Sequence, residues 1–463
     1  MPSTLWILTE ERPKVEVLKT IIGKFIDEHG LIGEFSELKV VPTLDDDGRF
    51  LFSYLVTGLN CDEITEIRIE TITGSSSFVD FLIFYQDSRP IPSDRPLYAI
   101  EETKTDDAES RNTGVFQRAT KFVYLELCYP NIDKTMLYNL QVVQKSKPTD
   151  TNIFGSRCLS TIGVRFLGKE IDNSLLRKFD SVEEMIQARS HMKRPPAGNV
   201  PIDIAIDGDS ITVSGRLFKS GGLSHDPNIG ALSLIAATVR KVGWHGDIRI
   251  TKHGLNQNHV KAGNKFVQVA NQLGISLDGL KLPTSTLPSE YWHYERSGEK
   301  IGTIFLHLII EHFSQGQAIY ENHAGCERGY FYPPKGEPIA IEKKVNDPGS
   351  TFHGDKIAIP DLVVRDISHG ILVNIEGKKS ENVNKGIAEL NNFGAVEKYY
   401  LSKYYPESSI ERTVVLYGGN RNSISQVEVS FLLNSLGEIC VSSDAPQIIH
   451  EAVQNLRNYW SAS

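Results

Sequence analysis

The 463-residue chain reads as a mixed α/β protein, its sheets of the α+β kind with parallel and antiparallel strands together. Three observations predict this. Strand-like runs rich in Ile, Val, Phe and Tyr alternate with amphipathic helical runs along the whole length. The composition, 40% hydrophobic and 23% charged, is that of a folded chain. Finally, one short order of elements recurs near both ends.

The first block, residues 1–150, opens on the helical VEVLKTIIGKFIDEHG, closed by Gly30. The alternating runs IRIETI, FVDFLIFY and LYAIEE then predict strands, and FQRATKFVYLELC predicts a helix ending before Pro130. A middle block, 151–289, holds IDIAI and SITVSGRLF joined by the turn-former DGDS, and a helix over NIGALSLIAATVRKVG. It closes in the Pro-rich KLPTSTLPS. The last block, 290–463, begins with the helical IGTIFLHLIIEHF. The strands IPDLVVR and GILVNIEG follow, then a helix over NKGIAELNNFGAVEKYYLSKYY. At this length two or three domains are expected.

No run approaches the ~20 apolar residues needed to span a bilayer, and MPSTLWILTEERPK lacks the pattern of a secretion signal. The five cysteines (Cys61, Cys128, Cys158, Cys326, Cys440) are scattered, with no CxxC pair. That pattern predicts reduced thiols in a cytoplasm and no zinc knuckle; His323 and Cys326, three apart, lack a second pair. The net charge of −9 excludes a general polyanion sponge but leaves room for a local basic cleft. One window qualifies. Ile248 to Leu277 contains no acid, and within it TKHGLNQNHVKAGNK carries Lys252, His253, Asn256, Asn258, Lys261 and Lys265. Cations and amides are the groups that bond phosphates and base edges; a polar surface loop is the plainer reading.

The recurrence joins the first and last blocks. Glu102-Thr103-Lys104 and Glu376-Gly377-Lys378 each close a strand-like run. Tyr124-Leu125 begins twenty residues past Lys104, and Tyr400-Leu401 twenty-two past Lys378. Each pair opens a YLxxxYP phrase, and each phrase precedes a strand containing Leu-Tyr. We read one supersecondary unit used twice.

Residues i and i+2 of a strand share a face, so each Glu projects beside its Lys. A carboxylate and an ammonium so placed can hold a divalent cation and steady a water, but a hard cation wants more than one oxygen ligand. An upstream strand offers one in each copy: Asp80 in FVDFLIFY and Asp361 in IPDLVVR.

Asp361…Glu376-Gly377-Lys378, preceded by Pro360, resembles the PD-(D/E)xK motif of type II restriction endonucleases and related resolvase and repair nucleases. Asp80…Glu102-Thr103-Lys104 resembles it too, with Val79 where the family often has Pro. The resemblance covers the outer blocks only and implies two restriction-endonuclease-like cores flanking a middle α/β domain. It implies Mg²⁺ held by Asp and Glu, with the Thr103 or Gly377 carbonyl joining the shell. Lys104 and Lys378 would orient the attacking water. Gln117 and Glu389, on the following helices, would support them. The implied activity is sequence-specific cleavage of double-stranded DNA by a monomer or homodimer, beside a cognate DNA methyltransferase. Two cores in one chain suggest one active site per strand; one active core with a DNA-binding or effector partner, or a structure-selective repair or junction nuclease, are the alternatives.

Overall fold

Within GILVNIEG, Ile371, Leu372, Val373 and Ile375 place apolar side chains on both faces of a strand, the pattern of a strand covered on both sides, and a sheet is built around it. The structure is a computed structural model describing residues 2–74, 78–103, 114–138, 150–167, 176–192, 203–219, 222–223, 227–295, 298–323, 325, 328–343 and 357–462. The class is mixed α/β, as expected. Two compact units form: Met1–Thr71 with Tyr294–Ser463, and Ile72–His293 between them in sequence. The boundaries therefore fall differently from 1–150, 151–289 and 290–463. Residues 1–71 join the C-terminal segment through side chains about three hundred positions away: Arg12 pairs with Glu311 and Glu321, and Lys300 Nζ donates to the Glu10 carbonyl.

In the first unit, eight described strands form one sheet, in the order Ile339–Glu342, Arg328–Phe331, Gly316–Glu321, Leu362–Asp366, Ile371–Lys379, Ser409–Tyr417, Val429–Leu433, Ile439–Val441. Leu362–Asp366 and Ile371–Lys379 make a tight hairpin in which Leu362 faces Ile375. Ile371–Lys379 then runs parallel to Ser409–Tyr417, with Glu376 opposite Val414. That parallel step requires a crossover, supplied by helix Val383–Leu390 and the helical turns after it.

Helix Lys300–Phe313 carries apolar residues on almost all sides and is buried along nearly its whole length. It packs against strands Gly316–Glu321, Ile371–Lys379 and Ser409–Tyr417, strand Gly33–Leu44, and the amphipathic helix Gln447–Ala462. Phe305 meets Phe50, Tyr54 and Phe431 at ring-centroid distances of 5.8, 6.3 and 6.1 Å. Helix Val15–His29 ends at Gly30, whose φ of 61° suits a residue without a Cβ.

The second unit repeats the hairpin. Phe81–Tyr85 pairs antiparallel with Tyr98–Thr103, which runs parallel to Asp133–Tyr138, itself parallel to Val164–Leu167. Helices Gly114–Cys128 and Pro227–Lys241 cross so closely that a Cβ on Gly230 would lie 1.8 Å from the Phe116 carbonyl oxygen. A four-stranded sheet runs Ile275–Leu277, Asp247–Thr251, Ser210–Ser214, Asp203–Asp207.

The repeated YLxxxYP phrase has the same backbone consequence in both places. Tyr129 N–H donates to Leu125 O at 2.7 Å and Tyr405 N–H to Leu401 O at 2.8 Å, and each tyrosine carbonyl then accepts from the residue three further on. Both helical segments stop there because proline follows. No described helix is long and apolar enough to cross a membrane. Cys61, Cys128, Cys158 and Cys440 are free thiols; Cys326 lies outside the described residues.

Candidate active site

Three of the expected residues meet where the C-terminal hairpin reaches its parallel neighbour. Asp361 sits one residue before its strand, its N–H bonded to Ile375 O at 3.1 Å. Its Oδ2 accepts the Gly377 N–H at 2.9 Å, which fixes the carboxylate across the strand from Glu376. Glu376 and Lys378, i and i+2 on one strand, project together, and Lys378 Nζ bonds Glu376. Glu389, from helix Val383–Leu390, takes a second bond from Lys378 Nζ at 2.9 Å. Gly386 lets that helix lie close, since a Cβ there would be 2.8 Å from Lys378 Cγ.

The electrostatics show two acids crowded together. Burial, then the charge of Asp361, pushes Glu376 up to about 8. Burial also lifts Asp361 to about 6, against the pull of the Gly377 N–H and Lys378. Burial works against Glu389 too, but its bonds with Lys378 and Glu376 hold it below the usual carboxylate range. Lys378 stays protonated: burial opposes its charge, and Glu376 and Glu389 outweigh it. Two neighbouring carboxylates that resist joint ionisation are a donor set suited to a hard divalent cation. Asp361 Oδ1 accepts no hydrogen bond from a described residue.

These groups open on a cleft of about 860 Å³, which Glu10, Glu11, Glu299, Lys300, Asn322 and His323 also line. Sequence reasoning missed Glu299. It directly precedes an apolar helix, where an acid is ordinary, yet its charge is among those that raise Asp361. Thr303 fills the space behind Gly377, where a Cβ would come within 2.4 Å of Thr303 Cγ2.

His307, Glu321 and His323 bring three potential ligand atoms within 4.8 Å of one another. Arg12 Nε and Lys14 Nζ already hold Glu321 at 2.8 and 3.0 Å, and His307 Nδ1 lies 2.9 Å from His323 Nε2. The cluster thus shares one carboxylate between two cations and a pair of imidazoles. Its outer member, His323, lies with Nδ1 2.9 Å from Thr303 Oγ1 behind the site.

In the 72–293 unit the hairpin register moves one expectation. Phe81 faces Ile100 as Leu362 faces Ile375, so Asp80 corresponds to Asp361 and Glu101, not Glu102, to Glu376. The Glu102 N–H donates to Asp80 Oδ2 at 2.7 Å, the role of Gly377 N–H. Lys121, from helix Gly114–Cys128, reaches Asp80 Oδ1 at 3.2 Å and Glu101 at 2.8 Å; Arg118 lies 3.6 Å from Glu101. Burial and the charge of Asp80 push Glu101 up to about 8. Glu102 is therefore a backbone donor whose side chain belongs to the opposite strand face. Thr103 occupies the strand position that Lys378 holds in the other copy. Lys104, and the side chains of Thr103 and Gln117, lie outside the described residues.

The basic window divides. Lys252, Asn256, Asn258 and Lys261 are exposed. His253 is buried with both ring nitrogens engaged, Nε2 to Asp278 O at 2.8 Å and Nδ1 accepting from Leu255 N–H at 3.0 Å. Lys265 turns inward, its Nζ 5.3 Å from the centre of the Tyr124 ring. His253 and Lys265 thus shape the loop and do not present themselves to a ligand. Comparison with protein-family models, curated proteins and solved structures finds no match for this chain.

Proposed function

We propose that the chain is a Mg²⁺-dependent nuclease that hydrolyses phosphodiester bonds of double-stranded DNA through Asp361, Glu376 and Lys378, in the manner of a type II site-specific deoxyribonuclease. The observation that carries the reading is the joining of the Asp361 and Glu376 carboxylates and one charged lysine at an open cleft. Asp361, Glu376 and the Gly377 carbonyl are the oxygen ligands available to the cation. Bound Mg²⁺ supplies Lewis-acid activation of the scissile phosphate and of a water.

The protein groups do the rest. The Gly377 N–H fixes the Asp361 carboxylate before the cation arrives, so little reorganisation is needed. Lys378 keeps its proton across the neutral range, so it serves as a donor that orients water and offsets charge on the phosphate, not as a base. Glu389 aims that ammonium. A host DNA methyltransferase, a cytoplasmic setting and base readout through the exposed Lys252, Asn256, Asn258 and Lys261 belong to the same proposal.

The test is incubation of the whole protein with supercoiled plasmid and Mg²⁺, followed by sequencing of the ends. The expected result is cleavage at recurring sequences, abolished by chelation and slowed on the order of 10³-fold at this site by Asp361→Ala. Unchanged cleavage in Asp361→Ala would overturn the site assignment, and ends at random sequences would overturn the site-specific class.

A further inference from the structure

The 72–293 unit lacks a lysine at the strand position that supplies one in the other unit, because Thr103 stands where Lys378 does. Its acids are nevertheless arranged alike. Asp80 Oδ2 is pinned by a backbone N–H at 2.7 Å where Asp361 Oδ2 is pinned at 2.9 Å, and Glu101 precedes the pinning residue as Glu376 does. An ammonium is present all the same, delivered from the helix side. Lys121 Nζ bridges both acids, and its side chain is 22% exposed while those of Asp80 and Glu101 are 8% and 3%. A mere core filler of this kind is costly, since apolar residues of similar volume pack as well without desolvating charge.

We propose that Asp80, Glu101 and Lys121 form a second hydrolytic site, with Lys121 the catalytic lysine in place of a strand-borne one. The inference rests on the proposed nuclease function and assigns one site to each DNA strand. Asp80 and Glu101 offer the oxygen ligands for the divalent cation. Lys121 orients the water whose oxygen bonds phosphorus as the phosphorus–ester oxygen bond breaks. One water proton passes to solvent, the leaving alkoxide takes a proton from solvent, and the products are a phosphomonoester and an alcohol. Arg118 lies beside Glu101 and offsets charge.

The experiment compares wild type with Lys121→Gln, Lys121→Arg, Asp80→Asn and Asp361→Asn on supercoiled plasmid with Mg²⁺, each variant checked by thermal melting. Mn²⁺ binding is counted separately by calorimetry. Wild type should linearise the plasmid, whereas Lys121→Gln should halt at the nicked circle, its second-strand cut slowed on the order of 10²-fold. Lys121→Arg keeps the ion pairs, so a purely structural lysine predicts wild-type linearisation; the proposal predicts nicking here too. Mn²⁺ stoichiometry should fall in Asp80→Asn and stay unchanged in Lys121→Gln. Linearisation by Lys121→Arg at the wild-type rate, or an unchanged Mn²⁺ count in Asp80→Asn, would overturn the second site. Failure of the underlying reading looks different: wild type then cuts neither strand and Asp361→Asn changes nothing, while the Mn²⁺ count still decides whether Asp80 and Glu101 bind a cation.

Discussion

Burial and then the neighbouring Asp361 disfavour the charge of Glu376 and raise its pKa above that of a free glutamate. With a folded value of about 8 against the usual 4.5, its contribution to stability is complete below 4.5 and is lost as pH rises through 8. A bound divalent cation takes over the neutralisation, so Mg²⁺ should raise the melting temperature more at pH 8.5 than at pH 6. Glu376→Gln, which imitates the protonated acid, should remove most of that difference. Equal Mg²⁺ shifts at the two pH values in wild type would contradict the argument. Gly377 supports the same acid pair from behind. A Cβ there would meet Thr303 Cγ2 at 2.4 Å and Asp361 Oδ2 at 3.3 Å. Gly377→Ala should therefore cost about 1–3 kcal/mol by overpacking. Thr303→Ser deletes the clashing methyl yet keeps the hydroxyl that bonds Lys300 O. Added to Gly377→Ala it should recover most of the loss, a coupling that a double-mutant cycle in denaturant measures; strict additivity would show that the clash is relieved elsewhere.

At the scale of elements, the acid hairpins were legible because each couples a short apolar run to one acid that an apolar run does not need. The repeated YLxxxYP phrase was legible too, since proline dictates where a helix stops, and both phrases make the same backbone bonds. What the sequence left open was strand register. Glu101 and Glu102 stand side by side, and a shift of one residue exchanges the faces they point to. Matching Glu102-Thr103-Lys104 to Glu376-Gly377-Lys378 treats the lysine as the anchor; pairing Phe81 with Ile100 makes the aspartate the anchor and selects Glu101. Lys121 had no signal, because its place beside Asp80 depends on how its helix lies over the strand. The basic window shows the same limit: His253 and Lys252 are neighbours with similar chemistry, yet one is buried in its loop and the other exposed.

At the scale of the whole molecule, the unit that holds Asp361 is discontinuous in sequence. Strand Gly33–Leu44 packs on helix Lys300–Phe313, Trp460 Nε1 donates to the Pro42 carbonyl at 3.1 Å, and the ring centres of Phe52 and Tyr417 lie 6.2 Å apart. Local periodicity marks helix Lys300–Phe313; it does not mark Gly33–Leu44, Phe50–Cys61 or Gln447–Ala462, and it says nothing of how any of them pair. Deleting one large buried aromatic contact typically costs about 3–5 kcal/mol, against a total stability of roughly 5–15 kcal/mol for an ordinary domain. Residues 294–463 expressed alone lose Phe50 and Tyr54 from Phe305 and Arg12 from Glu321 together. That fragment should keep much of its helical and strand signal yet lose its near-ultraviolet dichroism, bind a hydrophobic dye and melt without a cooperative transition. Supplying residues 1–71 in trans should restore a cooperative melt, because the missing interactions are surface complementarity and need no peptide connection. A fragment of 294–463 that melts cooperatively near the temperature of the full chain would mean that the C-terminal segment is a domain by itself and that the N-terminal 71 residues are an accessory layer.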